Sequence, residues 1–255
     1  MISDNEIINL YSECRQCPRK CGVNRFAGKS GFCLENADLK VSVACLHFGE
    51  EPPVTVHSGS GTIFLTGCNL RCAFCQNYQI SQQEMGKSVS KEEFAEICLR
   101  LENAGAENIN LVTPSHHIPK LAQFIEEAKT RGLKLPVCWN SSGYDSVEML
   151  EMLDGLVTIF LPDFKTLSPE LSKKLCSAED YPETAKKALL WMIEHNPLKF
   201  ASVEKNGVTK QKLLQGVIIR HLFLPGRFEE TVDVLSWLKE NADKKAIISL
   251  MNQYT

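Results

Sequence analysis

From Thr62 onward the sequence carries six short, almost continuously apolar runs. They are Thr62–Leu65, Asn108–Val112, Leu135–Trp139, Leu156–Leu161, Val217–Leu224 and Ala246–Met251. Strands exposed on one face alternate apolar and polar residues. Runs without alternation read as strands covered on both faces, the mark of a parallel sheet.

Amphipathic segments fall between the runs. Ser90-Lys91-Glu92-Glu93 is a capping box, and Phe94, Ile97, Cys98 and Leu101 follow at helical spacing until Gly105. Leu121, Phe124, Ile125 and Ala128 form a second apolar stripe ended by Gly132, and Val147, Leu150 and Leu153 a shorter one. Ser168-Pro169 reads as an N-cap with proline at the first helical position. Longer helices carry Ala185, Leu189, Met192 and Ile193, then Val234, Leu235 and Leu238. Asn206-Gly207 predicts a hairpin turn before the fifth run.

Strands alternating with helices build right-handed βαβ units. Six units fall short of a closed eight-stranded barrel. The expectation is α/β, a partial (β/α)6 barrel over residues 61–255 with a cysteine-rich extension over 1–60, and a doubly wound open sheet is the alternative. Either architecture puts its ligand site at the carboxyl ends of the strands.

Cysteine is the unusual entry in the composition: 11 of 255 residues, an odd number, against a formal net charge of −3. That charge excludes a global field drawing the chain to nucleic acid or anionic lipid. Met1-Ile2-Ser3-Asp4-Asn5-Glu6 lacks the basic and apolar regions of a signal peptide, and no apolar run is long enough to cross a bilayer. The expected compartment is the cytoplasm, where thiols stay reduced and clustered cysteines serve metals or redox chemistry.

Three cysteines sit directly after the first strand, in Thr66-Gly67-Cys68-Asn69-Leu70-Arg71-Cys72-Ala73-Phe74-Cys75. Their Cys-x3-Cys-x2-Cys spacing is expected by chance about 0.02 times in a chain with this many cysteines. Three thiolates on one tight loop suit a [4Fe–4S] cube with one iron lacking a protein ligand. The plainer reading is a structural zinc site completed by a distant Cys or His, although zinc favours paired knuckles.

This loop resembles the signature of the radical S-adenosylmethionine (SAM) superfamily. More narrowly, the chain is similar to the pyruvate formate-lyase activating enzymes and a poorly characterised branch of their homologues. Gly59-Ser60-Gly61-Thr62-Ile63-Phe64, Pro162-Asp163-Phe164-Lys165 and Arg220-His221-Leu222-Phe223-Leu224-Pro225-Gly226 also look like that branch. The resemblance implies that Cys68, Cys72 and Cys75 ligate the cluster. It further implies that SAM chelates the open iron and is cleaved reductively to a 5′-deoxyadenosyl radical that abstracts hydrogen. Phe74 matches the aromatic beside the adenine, with ordinary loop packing the alternative. Asp163 and Lys165 match the Asp-x-Lys that contacts the amino-acid part of SAM; a surface ion pair is the alternative. Asn140 is a candidate SAM hydrogen-bonding residue or a turn-forming Asn. Arg220 lies inside the fifth run and could face the barrel; a paired structural arginine is the preferred reading.

The sequence departs from the superfamily after the second strand, where a Gly-Gly-Glu is expected and Leu111-Val112-Thr113-Pro114-Ser115-His116-His117 stands. Thr113 is the candidate replacement, and the histidines read as loop or substrate-pocket residues. The sequence ends at Thr255 just after the sixth run, which reads as a barrel lacking its final helix. Cys14, Cys17, Cys21 and Cys33 form a second set, among five basic and no acidic residues. A structural metal site is the first reading, an auxiliary cluster the second and no metal the third. Cys45, Cys98, Cys138 and Cys176 read as small buried hydrophobes.

The function implied by the resemblance is hydrogen abstraction from a substrate, including activation of a glycyl radical enzyme as protein substrate. The alternatives are a radical SAM enzyme acting on a small molecule or RNA, and a non-enzymatic zinc or iron–sulfur protein. With no flavin or nicotinamide fingerprint, an external electron donor of flavodoxin or ferredoxin type is implied. A membrane partner is not expected, nor is nucleic acid.

Overall fold

The computed structural model describes residues 3–252; the reading of the chain end at Thr255 and that of Met1 and Ile2 lie outside the described residues. In chain order the elements are α1 (Asp4–Ser12), β1 (Lys40–His47), β2 (Ser60–Leu65), α2 (Tyr78–Gln82), β3 (Lys87–Ser88), α3 (Lys91–Asn103), β4 (Ile109–Val112), α4 (Ile118–Thr130) and β5 (Val137–Asn140). Then come α5 (Val147–Leu150), β6 (Ile159–Phe160), α6 (Pro169–Cys176), α7 (Tyr181–His195), β7 (Lys199–Lys205), β8 (Val208–Leu222), α8 (Phe228–Ala242) and β9 (Ile247–Met251).

All six expected strands are present as β2, β4, β5, β6, β8 and β9. They pair in parallel and in sequence order, each hydrogen-bonded to the next. That order separates the two architectures left open by the sequence. A doubly wound sheet reverses its strand order part-way. When order never reverses, every right-handed crossover falls on the same face, and the sheet curls as part of a barrel.

Local signals act as expected. Ser90 accepts from the Glu93 amide at 3.2 Å while Glu93 accepts from the Ser90 amide at 2.7 Å, so the capping box closes both ways. Ser168 caps α6 by accepting from the Leu171 amide, with Pro169 first in the helix. β7 and β8 form the hairpin turned by Asn206-Gly207.

The sequence reading contains no strand before Thr62. The structure adds β1, paired antiparallel to β2 along its length, and the two-residue β3 beyond it. β1 escaped notice because its buried positions are few: Val41 is buried and the rest partly open, so its pattern resembles a loop. Cys45, on this strand, is exposed rather than buried, which corrects its reading as a core residue.

Period-two alternation sorts the strand side chains. Ile63, Leu111, Trp139, Phe160, Val217 and Ile219 pack outward against Phe94, Phe124, Ile125, Leu189, Met192 and Leu238 of the helices. The alternate positions face inward. Cys138, Ile159, Leu161 and Ile218 fill the lower interior around Val54, a residue of the β1–β2 connection. That connection is anchored where the Leu213 amide donates to Pro53 O at 2.8 Å and the Asn108 side chain to Val54 O at 2.8 Å. Nearer the carboxyl ends the inward residues turn polar: Asn110, Asn140 and Arg220. Among the described residues no helix is long and apolar enough to cross a membrane.

Candidate active site

A cavity of about 750 Å³ opens at the carboxyl ends of the parallel strands. Its size falls within the range of small-molecule and cofactor sites. Cys68, Cys72, Phe74 and Cys75 line it together with Thr113, Asn140, Asp163, Lys165 and Arg220. The three cysteines nominated for the cluster and the residues nominated for SAM therefore line one cavity.

The cysteine loop is held from several directions. Gly67 turns it with φ +74°, and a Cβ there would lie 2.7 Å from Cys33 O, so glycine is required. The Arg71 amide donates to Cys176 O at 3.1 Å and the Ala73 amide to Leu175 O at 2.8 Å, tying the loop to the end of α6. Asn69 donates to Tyr144 O at 2.7 Å. Cys68 Sγ accepts from the Leu70 amide at 3.3 Å, and Cys75 Sγ lies 3.4 Å from Ser81 Oγ.

Cys176 is buried in the core, as expected, and is also a neighbour of Cys72. Its hydrogen bond holds the Cys72 thiol below the ordinary value and raises its own. Burial, reinforced by Cys72, pushes the Cys68 thiol up to about 12. A buried thiol of this kind becomes a thiolate when a cation, such as a bound metal, stands beside it.

The same cavity holds a charged network. Lys165 Nζ donates to Asp163 Oδ2 at 2.7 Å, and Arg220 Nη2 contacts Asp163 Oδ1 at 2.9 Å. Arg220 also donates to Asn140 Oδ1 at 2.6 Å. Burial opposes the Asp163 charge, but Lys165 and Arg220 outweigh it and hold the carboxyl below its usual range. Burial likewise opposes the Lys165 charge, and Asp163 followed by Cys72 keeps it protonated well above the usual lysine value. The surface-pair reading of Asp163 and Lys165 is thus replaced by a largely desolvated one. Arg220 is paired, as expected, and also faces the cavity. Lys165 Nζ lies 5.7 Å from the Phe74 ring centre.

Asp163 is reached closely by backbone: a Cβ on Gly143, at φ +75°, would sit 2.3 Å from Asp163 O. Thr113 adopts φ +60° and donates its amide to Asn140 O at 2.9 Å, at the point where Gly-Gly-Glu was missing.

Three features went unseen in the sequence. Glu50 enters from the β1–β2 connection and accepts from Asn140 at 3.3 Å and from Asn110, with Arg220 Nη1 3.9 Å away. No periodicity or motif marks it. Ser142, on the strand-end segment around Asn140, lines the cavity with a buried hydroxyl that has no partner among the described residues. Arg220 Nε is a second such donor.

His116 and His117 do not line the cavity, which corrects their substrate-pocket reading. His116 Nε2 pairs with Thr66 O at 2.8 Å. His117 lies between Tyr11 Oη at 2.9 Å and Arg25 Nη2 at 2.8 Å. Burial, then the Arg25 charge, keeps both rings neutral, His116 with its value lowered to about 3.

The sequence matches the radical SAM superfamily over residues 62–238. The chain belongs to the radical SAM superfamily. It is 30% identical over 254 residues to the uncharacterized protein MJ0674 of Methanocaldococcus jannaschii, covering 96% of this chain and 67% of that one. The fold is also that of SuiB from Streptococcus suis. With its precursor peptide SuiA bound, SuiB matches at TM-score 0.52 and 14% identity; with S-adenosylmethionine bound, at 0.51 and 13%. The matches cover 74% and 76% of this chain, which spans only 37% and 38% of the SuiB chains.

As a radical SAM protein the chain is an enzyme whose cofactors are a [4Fe–4S] cluster and SAM, and it draws on an external reductant. The cavity suits them. No three of the described His, Cys, Asp or Glu side chains are gathered around one point, as a single ion needs. A cube instead takes each sulfur at a separate corner. Ser142 and Arg220 line the cavity, where the Lys165 and Arg220 cations suit a carboxylate.

Proposed function

We propose that Cys68, Cys72 and Cys75 hold the [4Fe–4S] cluster, and that the chain abstracts hydrogen from a protein substrate in the manner of a glycyl radical activating enzyme. When bound, the cluster and SAM supply one-electron cleavage of the sulfonium C–S bond, releasing methionine and a 5′-deoxyadenosyl radical. The observation that carries the reading is one cavity lined by three thiols and by the Asp163–Lys165–Arg220 network.

The chain's residues orient SAM around that network. Lys165, its ammonium held protonated, neutralises the methionine carboxylate. Asp163, held ionised, accepts from the methionine ammonium. Thr113 and Asn140 supply backbone and side-chain groups where Gly-Gly-Glu would stand. Phe74 offers an apolar face to adenine. The hydrogen removed from substrate ends on the 5′ carbon as 5′-deoxyadenosine. The electron arrives from a donor of flavodoxin or ferredoxin type.

His47, Leu222, Leu250 and Met251 also line the cavity. SuiB, of the same fold, has been captured with a precursor peptide, which supports a polypeptide substrate.

Anaerobic reconstitution with iron and sulfide, followed by dithionite and SAM, is expected to yield 5′-deoxyadenosine. Cys72→Ala should release none; release at the wild-type rate would defeat the ligand assignment. Activation of a partner should appear as a glycyl-radical electron paramagnetic resonance doublet. No doublet on any glycyl radical enzyme, with deuterium instead transferred from a small molecule or RNA, would overturn the protein-substrate reading.

A further inference from the structure

The amino-terminal segment brings four more cysteines into one place, outside the cavity. Cys14, Cys17 and Cys33 are buried and Cys21 half-buried. Cys21 Sγ packs against Gly31, where an added Cβ would lie 3.0 Å away, which sets it beside the end of the loop that carries Cys33. Two left-handed backbone positions, Lys20 at φ +42° and Gly22 at φ +66°, turn the loop around them. The Cys14 amide donates to Val23 O at 3.0 Å, the Gly22 amide to Cys14 O at 2.9 Å, and Cys21 Sγ accepts from the Phe32 amide at 3.3 Å. The fold is thus built inward on sulfur rather than on apolar side chains.

Charge supplies an independent observation. Arg25 is 1% exposed and has no carboxylate ion pair among the described residues. Its guanidinium donates to His116 O at 2.6 Å and Asn36 O at 2.8 Å, and Nη1 lies 3.9 Å from Cys14 Sγ. A buried cation without a counter-charge costs several kcal/mol. The groups placed to supply one are the cysteine sulfurs, once they are thiolates. Two more buried groups on this loop have donors without partners, Gln16 Nε2 and Arg19 Nη2. Four thiolates on a [4Fe–4S] core of charge +2 leave a net charge of about −2, and the core's sulfides accept N–H bonds.

We propose that Cys14, Cys17, Cys21 and Cys33 bind a second, fully ligated [4Fe–4S] cluster whose charge is balanced by the buried Arg25. The unpartnered donors favour a cube over zinc, because its sulfides add acceptors that a lone ion lacks. With every corner taken, this centre exchanges electrons but does not bind SAM.

It abuts the first cysteine loop. Cys33 O sits where a Gly67 side chain would go, and Arg71 donates to Phe32 O. Arg19 stacks 3.8 Å over Phe32 and donates to Asn69 O at 2.8 Å. An electron supplied by the external reductant to this centre is therefore one packing layer from the cavity.

The test uses the full chain, purified and reconstituted without oxygen. Wild type is expected to hold about eight irons and eight sulfides. The triple variant Cys68→Ala, Cys72→Ala, Cys75→Ala should keep about four, with a reduced-cluster paramagnetic signal that SAM leaves unchanged. Cys17→Ser with Cys33→Ser should keep about four whose signal SAM does alter. A triple variant without iron, or one holding zinc on the remaining cysteines, overturns the proposal whatever becomes of SAM cleavage. Because the triple variant leaves the amino-terminal segment intact, misfolding of the Cys17/Cys33 variant does not decide the outcome.

Discussion

Asp163→Asn removes one negative charge from between two cations. The Lys165 and Arg220 contacts to the two carboxylate oxygens are 2.7 and 2.9 Å long, and the three side chains are 14%, 15% and 24% exposed for Lys165, Arg220 and Asp163. At an effective dielectric of about 20, a pair of unit charges about 4 Å apart attracts by about 4 kcal/mol. Two such pairs set a ceiling of about 8 kcal/mol, and the water still reaching Asp163 reduces it. Breaking a buried pair by removing one partner costs about 3–5 kcal/mol, because the survivors stay buried without compensation. The variant is expected to lose that amount in urea unfolding of the apo-protein. With a slope of about 2–3 kcal/mol per molar urea, the midpoint falls by about 1–2 M. SAM affinity of the reconstituted enzyme should drop at least about tenfold, or 1.4 kcal/mol, since the ammonium partner is lost as well. Lys165→Met on the same background should recover part of the stability by removing one stranded cation, but none of the SAM affinity. A stability loss below about 1 kcal/mol would show that solvent, not Asp163, balances the two cations, and the network would lose its role in orienting SAM.

Other expectations follow from the same structure. Gly143→Ala places a methyl group 2.3 Å from Asp163 O at φ +75°, so it should cost at least about 2 kcal/mol and lower the thermal midpoint by at least about 4 °C; an unchanged midpoint would show that the strand end yields freely. His116 and His117 are neutral in the folded state, with His116 lowered to about 3 from the usual 6.5. Below pH 6.5 the unfolded chain therefore binds more protons than the folded one, and stability falls as pH drops from 6.5 toward 3. Each ring contributes up to about 1.4 kcal/mol per pH unit. Urea midpoints at pH 7, 5.5 and 4.5 measure the slope, and His116→Gln should flatten it; an equal slope in that variant would mean the ring is solvated.

Much of the site was legible because its chemistry is local. Cys68, Cys72 and Cys75 share one loop, and their spacing alone nominates it to hold the proposed cluster. Asp163 and Lys165 flank a strand end and are two residues apart, so strand periodicity puts both beside the site. Glu50 was not legible. It reaches Asn140 across 90 positions from a connection without periodicity, and only the path of that connection through the barrel interior brings it there. For Arg220 the sequence left two readings, a paired structural arginine and one facing the barrel; the inward register of β8 satisfies both, pairing it with Asp163 at the cavity. His116 and His117 went the other way, facing the amino-terminal segment rather than the substrate.

From the sequence alone came six buried parallel strands, the helices between them, the edge on which the cysteine loop lies and the class of metal it suits. These follow from local periodicity, capping and spacing, which act within a few turns of chain. The tertiary structure decided between barrel and doubly wound sheet, because sheet order is set by which strands pair and not by what each contains. It also decided that β1 extends the sheet, that Cys176 is a partner of Cys72, and that the Arg25 guanidinium is buried near the Cys14 and Cys33 thiols. Each of these depends on contacts between segments far apart in sequence, where burial and charge compensation act only after the chain has closed on itself.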